Sequence, residues 1–346
     1  MRRLLTVALT VPLTLALLCG CSRDGGGGRT WVTDEVSFDA AGLTVHGTYR
    51  HRSGDGADPA ALLISESGQT DRNGDNNVAG PVGNMAQLAE FLSEHGVASL
   101  RYDKVGTGST GLGPYKDRPA DVGSAIYTGG ATAALRFLAA QPGTDAQRIS
   151  VYGLGEGTIH AMTLADDTAF GAPKIHSLGL LQPLAARYLD LISGRVEADV
   201  AAAVRSGSKT AQQAEAVVGA WRAAVTQART SGTASGTLPD GLSAILNPSN
   251  VKAVVESDAI DPLALAAAIP AGTPVLLTCS DSDGQAACAD MPPLTAALTQ
   301  TALQFVQLSG VNHVLRDDPT DNVANYAKKD PLSPQLTAAL EVFVGQ

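Results

Sequence analysis

The sequence predicts an α/β protein with a mostly parallel sheet, helices on both faces and one helical insertion. Three observations carry this. Short, continuous apolar runs alternate with amphipathic stretches of helical period along most of the 346 residues, the pattern of a parallel sheet covered on both faces. The runs are bounded by glycine-rich and polar turns. Between residues 184 and 268 the alternation stops and alanine-rich helical sequence replaces it.

In chain order, "WVTDEVSFDAAGLTVHGTYRHR" holds two β-like runs about Ala41 and Gly42 and reads as an opening hairpin. "AALLISES" (60–67) is apolar without alternation, as a strand buried on both faces must be. The polar loop "GQTDRNGDNN" leads to a helix over "MAQLAEFLSEHG". Its Met85, Leu88, Phe91 and Leu92 share a face, and Gly96 stops it. "VASLRYD", "RISVYG" and "IHSLGLLQ" read as strands; "SAIYTGGATAALRFLAAQ" and "GTIHAMTLAD" read as the helices between them. "LDLISGRVEADVAAAVRSG" and "AQQAEAVVGAWRAAVTQARTSG" form the helical insertion, after which "TPVLLTCS" and "LQFVQLSG" resume the sheet and "PLSPQLTAALEVFVG" closes it with a helix. The expected organisation is a core of 31–183 and 269–346 interrupted by a lid or cap at 184–268.

The N-terminus reads as an export signal. Arg2 and Arg3 precede an apolar run from Leu4 to Leu18, too short for a comfortable membrane span. "LLCGC" resembles the lipobox of bacterial lipoproteins, which implies removal of residues 1–20 and lipidation of Cys21; an ordinary signal peptide cut near Gly20 is the alternative. "SRDGGGGRT" supplies a glycine-rich tether, set at 21–30. The expected location is therefore outside the cytoplasm, lipid-anchored at the cell envelope. Losing two arginines and no acid takes the net charge from −10 to −12. Such an acidic domain is repelled by nucleic acid, so none is expected as a partner. Of four cysteines, Cys279 and Cys288 remain beyond the signal, an even pair in an oxidising compartment. They are read as a disulfide worth roughly 2–3 kcal/mol. A two-cysteine metal site is the weaker reading, because no histidine lies at ligand spacing.

Sites in open α/β sheets form beyond the carboxyl ends of the strands. The strand at 148–152 exits into "GLGEG", with Gly155 at its centre. The strand at 273–279 exits into "SDSDGQ", with Asp281 and Asp283. That at 303–308 exits into "SGVNHVL", with His313, and that at 60–65 into "ESGQTDR". Elbow, acid, histidine is the chain order of α/β-hydrolases.

The resemblance is carried by four ordered segments. "SGQTDRNGDN" is similar to the S-G-P-T-D-R-D-G run of bacterial serine-aminopeptidase-like α/β-hydrolases. "RYDKVGTGS" resembles their R-Y-D-K-R-G-x-G-K-S, departing at Val105 and by one lysine. "PVLLTCSDSDGQ" resembles P-V-L-I-x-x-G-x-x-D-x-Q, and "VNHVL" resembles A-N-H-x-L. The resemblance covers nearly all of the chain beyond the signal. It implies the α/β-hydrolase fold, Asp283 as triad acid and His313 as triad base. It implies oxyanion donors at the backbone of Glu156 and of Gly68 or Gln69. The family elbow reads G-H-S-E-G; this chain reads Gly153-Leu154-Gly155-Glu156-Gly157. Glycine accepts the strained central conformation freely but has no oxygen with which to attack.

Other readings of these segments are weaker. Thr158 would point away from the site, and Ser67, Ser109 and Ser282 lie on neighbouring loops. Asp281 reads as loop solvation, and His46, His51, His95, His160 and His176 as ordinary histidines. "DRNGDNN" lacks the sixth-position glycine and twelfth-position glutamate of a calcium loop. "GLGEG" and "KVGTGST" lack the endings of phosphate loops. No cofactor and no metal is expected. Two functions stay open. One is a hydrolase of esters or small amides acting through a His313-activated water or a relocated serine. The other is a pseudo-hydrolase with reduced or lost activity, holding a small molecule or peptide in a pocket under the insertion.

Overall fold

The computed structural model describes residues 29–345 except 168 and 170. The export signal, Cys21 and most of the tether lie outside the described residues. Among the described residues no helix is long and apolar enough to cross a membrane.

The described residues form one eight-stranded sheet in the order β1-β2-β4-β3-β5-β6-β7-β8. Its strands are β1 (Trp31–Ala40), β2 (Leu43–Arg52), β3 (Asp58–Ile64), β4 (Ala98–Tyr102), β5 (Thr144–Leu154), β6 (Ile175–Leu181), β7 (Pro274–Ser280) and β8 (Ala302–Leu308). β1 and β2 pair antiparallel, as do β2 and β4; every other pairing is parallel. The opening hairpin turns at Ala41 and Gly42, with φ of 54° and 86°. Two successive positive φ values match the twist of the strands they join.

The central strands face apolar layers on both sides. Leu62 and Ile64 of β3 pack in one cluster with α2 (Ser124–Ala139), α3 (Gly157–Ala165) and α8 (Pro292–Ala297). Their neighbours Ala61 and Leu63 pack in the other with α1 (Asn84–Glu94) and α10 (Pro334–Val344). Successive side chains point to opposite faces of a strand, so a strand covered twice must be apolar throughout.

Between β6 and β7 run α4 (Tyr188–Arg205), α5 (Ala211–Ser231), α6 (Val251–Ala259) and α7 (Pro262–Ala268). α4, α5 and α6 enclose an apolar cluster of their own about Trp221, which is fully buried and donates its indole N–H to Ser193 Oγ at 2.9 Å. α5 opens with a Thr210–Gln213 capping box and ends at Gly232 in the left-handed region. A short α9 (Val323–Tyr326) follows β8.

Two of the sequence segments are bonded to one another. Asp103, past β4, accepts from Arg72 N at 3.0 Å, Arg72 Nη2 at 2.9 Å and Ser109 N at 2.8 Å. Both partners of the pair are buried. This fixes the loop after β3 against the loop after β4. Asp103→Ala should leave the buried Arg72 guanidinium with Thr48 Oγ1 and the exposed Glu35 as its side-chain partners, costing about 3–5 kcal/mol. Urea denaturation measures this; an unchanged midpoint would mean the pair adds nothing to the fold.

Candidate functional site

Four strand exits meet at one point. At the end of β5 Gly155 has a φ of 55°, the left-handed conformation of a nucleophile elbow. Its N–H donates to Leu181 O at 3.1 Å, and its carbonyl accepts from Thr158 N at 3.1 Å and Thr158 Oγ1 at 2.6 Å. Thr158 is therefore spent on holding the turn. A Cβ at Gly157 would come within 2.5 Å of Ile64 O, so only glycine lets α3 start this close to β3. A Cβ at Gly155 would stand 3.3 Å from His313 Nε2. The elbow is aimed at the histidine and carries nothing.

Asp283 and His313 meet as expected. Asp283, past β7, accepts from Gln285 N at 2.6 Å and Ala286 N at 3.0 Å through Oδ1, and bonds His313 Nδ1 through Oδ2 at 2.8 Å. The Cys279–Cys288 disulfide closes the loop that carries it. His313 is held by its own N–H, which donates to Asp321 Oδ1 at 2.9 Å. Asp281 instead accepts from Gly310 N and Ser309 Oγ, both at 2.8 Å, and organises the loop beside the site.

The other imidazole nitrogen has a partner the sequence reading did not consider. Glu66 Oε2 lies 2.9 Å from His313 Nε2, where a triad serine would place its hydroxyl. With both ring nitrogens on carboxylates, no serine hydroxyl pairs with His313; Ser67, Ser109 and Ser282 stay on their loops. Glu66 stands in a polar strand exit, between Ser65 and Ser67, and no local sequence signal marked this contact. Lys104, also missed, is buried, donates from Nζ to the Glu66 carbonyl and lies over the Tyr127 ring at 5.9 Å.

The electrostatics follow from burial against charge. Burial disfavours an imidazolium, but Asp283 and Glu66 outweigh it and raise His313 well above its ordinary 6.5. Burial would raise Glu66 and Asp283; the His313 charge wins and both are lowered. Burial lowers Lys104 and raises Glu156, which accepts from Ser257 Oγ at 3.5 Å. His160, buried against Thr128, is pushed down to about 3 by burial.

The proposed oxyanion residues line two cavities. Gly68 and Gln69 line a cavity of about 390 Å³ with Glu66 and Leu154. Glu156 lines a smaller recess with Tyr188, Ser257 and Ile260 of the insertion. The insertion covers that recess, and the cavity beside Glu66 lies apart from it. The cavity beside the triad is bounded by the loop after β3 and by Val314, Val323 and Tyr326, and no residue of 184–268 lines it. The insertion's long helices bury their apolar faces on one another instead.

No protein-family model and no curated protein matches the sequence. Solved structures do. A Pyrococcus furiosus esterase, Pf2001, matches with a TM-score of 0.56 at 15% identity, over 91% of this chain and 91% of that one. Est1E from Butyrivibrio proteoclasticus matches at 0.53 and 15% identity, over 89% and 96%. The alpha/beta hydrolase GrgF from Penicillium sp. matches at 0.51 and 16% identity, over 82% and 91%. The chain has the α/β-hydrolase fold. In this chain the exits of β5, β7 and β8 carry Gly155, Asp283 and His313, and the exit of β3 carries Glu66.

The pH dependence has two limbs. Protonated His313 contributes stability that is fully present below 6.5 and lost as pH rises through its raised folded value. Glu66 and Asp283 contribute above their ordinary 4.5 and 3.8, and that part is lost as pH falls through their lowered values. Glu66→Gln should bring the His313 titration down toward its ordinary range. Imidazole nitrogen NMR reads this directly, and an unmoved titration would remove Glu66 from the account.

Proposed function

We propose that this protein descends from a serine hydrolase of esters or small amides, has reduced or lost that activity, and now works as a binding protein. The carrying observation is the Glu66 carboxylate on His313 Nε2 at 2.9 Å, opposite a Gly155 with no side chain. A triad histidine must accept a proton from its nucleophile. An imidazolium bonded at both nitrogens has no lone pair to accept one, whether from a serine or from a water. The esterase ancestry is drawn from the names of the similar structures and from the sequence resemblance. Export and lipid anchoring through Cys21 belong to the same proposal, on the strength of "LLCGC" alone.

Gly155→Ser by itself should not recover hydrolysis, because Glu66 occupies the position its hydroxyl needs. Gly155→Ser combined with Glu66→Ala should hydrolyse p-nitrophenyl acetate about 10²-fold or more above the native chain, the lower range of general-base assistance. The reading fails if the native protein already turns over at the double variant's rate and loses it on His313→Ala.

A further inference from the structure

The cavity beside Glu66 has one charged side chain in its lining, Glu66 itself; no lysine, arginine or histidine lines it. Glu66 lines it with one carboxylate oxygen committed to His313 and the other free of hydrogen bonds among the described residues. Oε2 is bonded to His313, Oε1 takes no hydrogen bond among the described residues, and the side chain is 19% exposed.

Two further features surround that oxygen. Gln69, Asn76, Asn77 and Gln285 supply neutral polar groups. Val78 and Val323 supply apolar surface: they are 87% and 44% exposed, two of the four large apolar side chains left open among the described residues.

Charge decides what kind of ligand fits. Asp283, protonated His313 and Glu66 together carry one net negative charge. Lys104 and Glu156 behind them cancel, as an ion pair or as a neutral pair. A carboxylate ligand would meet like charge, and an alcohol would leave the negative charge uncompensated. An ammonium donates a charge-assisted hydrogen bond to a carboxylate oxygen that has no other donor.

We propose that this cavity binds a small amphipathic amine, its ammonium on Glu66 Oε1 and its apolar part against Val78 and Val323. The assignment rests on the non-hydrolytic reading of the site, since Glu66 must remain on His313 for Oε1 to be its free oxygen.

The test titrates the purified full chain with n-hexylammonium, 1-hexanol and hexanoate at neutral pH, by calorimetry. Hexylammonium should bind about tenfold or more tightly than hexanol, and hexanoate not at all, as a single hydrogen bond to a charged group implies. Glu66→Gln should lose about tenfold or more of the hexylammonium affinity. Asn77→Asp, which adds a second carboxylate to the lining, should tighten it, a gain that misfolding cannot produce. Equal binding of hexanoate, no binding of hexylammonium, or affinity unmoved by both variants overturns the assignment. Ester hydrolysis by the same preparation separates the two proposals. His313-dependent turnover overturns the non-hydrolytic reading and the assignment that rests on it. An inert chain that binds no hexylammonium overturns the amine alone.

Discussion

Two carboxylates holding one buried imidazole is the interaction around which this site is arranged. His313 and Asp283 are each 2% exposed, and a charge so placed survives only with partners. Asp283 cannot ionise there without the imidazolium and two backbone N–H donors. The imidazolium is in turn better held by two carboxylates than by one. Behind Glu66 stands Lys104, and behind Lys104 stands Glu156, so alternating charges run from the loop after β7 to α6, where Ser257 reaches Glu156. Removing His313 would leave Asp283, and removing Lys104 would leave Glu156, buried without its counter-charge.

The scaffold makes that chain of charges affordable by bringing loops together at one edge. Parallel strands release their loops on the same side of the sheet. β3, β4, β5, β7 and β8 therefore contribute Glu66, Lys104, Gly155, Asp283 and His313 to one place. Two locks keep those loops there: the Arg72–Asp103 pair ties the loops after β3 and β4, and the Cys279–Cys288 disulfide closes the loop that carries Asp283. Neither lock touches the histidine. Both act on the backbone from which its partners reach it.

Much of this was legible in the sequence for physical reasons. A strand covered on both faces has to be apolar at every position, as "ALLI" is, so the strand–helix alternation was plain. Asp283 and His313 stood in ordered segments, and Gly155 stood where an oxygen was missing. Glu66 escaped notice because its partner lies 247 positions away, and nothing local distinguishes a carboxylate on an imidazole from one in solvent. Lys104 stood in the matched segment "RYDKVGTGS" without a role of its own, for the same reason. The packing of the insertion was not legible for a different reason. Helical period shows that the insertion has apolar faces, but not whether they pack on the sheet or on each other. Here Trp221 and its neighbours chose each other.

On the proposed descent from a serine hydrolase, Gly155 and Glu66 are one change rather than two. A serine at 155 and a glutamate at 66 would both direct an oxygen at His313 Nε2, with their Cβ positions only 3.4 Å apart. One nitrogen at the site cannot serve both. If the serine alone were lost, Nε2 would sit buried without a partner, a defect of about 1–3 kcal/mol. A carboxylate from the adjacent strand exit repairs it and adds a charge-assisted bond. On the proposed loss of hydrolysis, the same bond also fixes the proton that a triad histidine needs to move. On this argument the glutamate stabilises the fold through the very contact that silences the histidine, and reversing only one of the two positions leaves that contact or the missing hydroxyl in place.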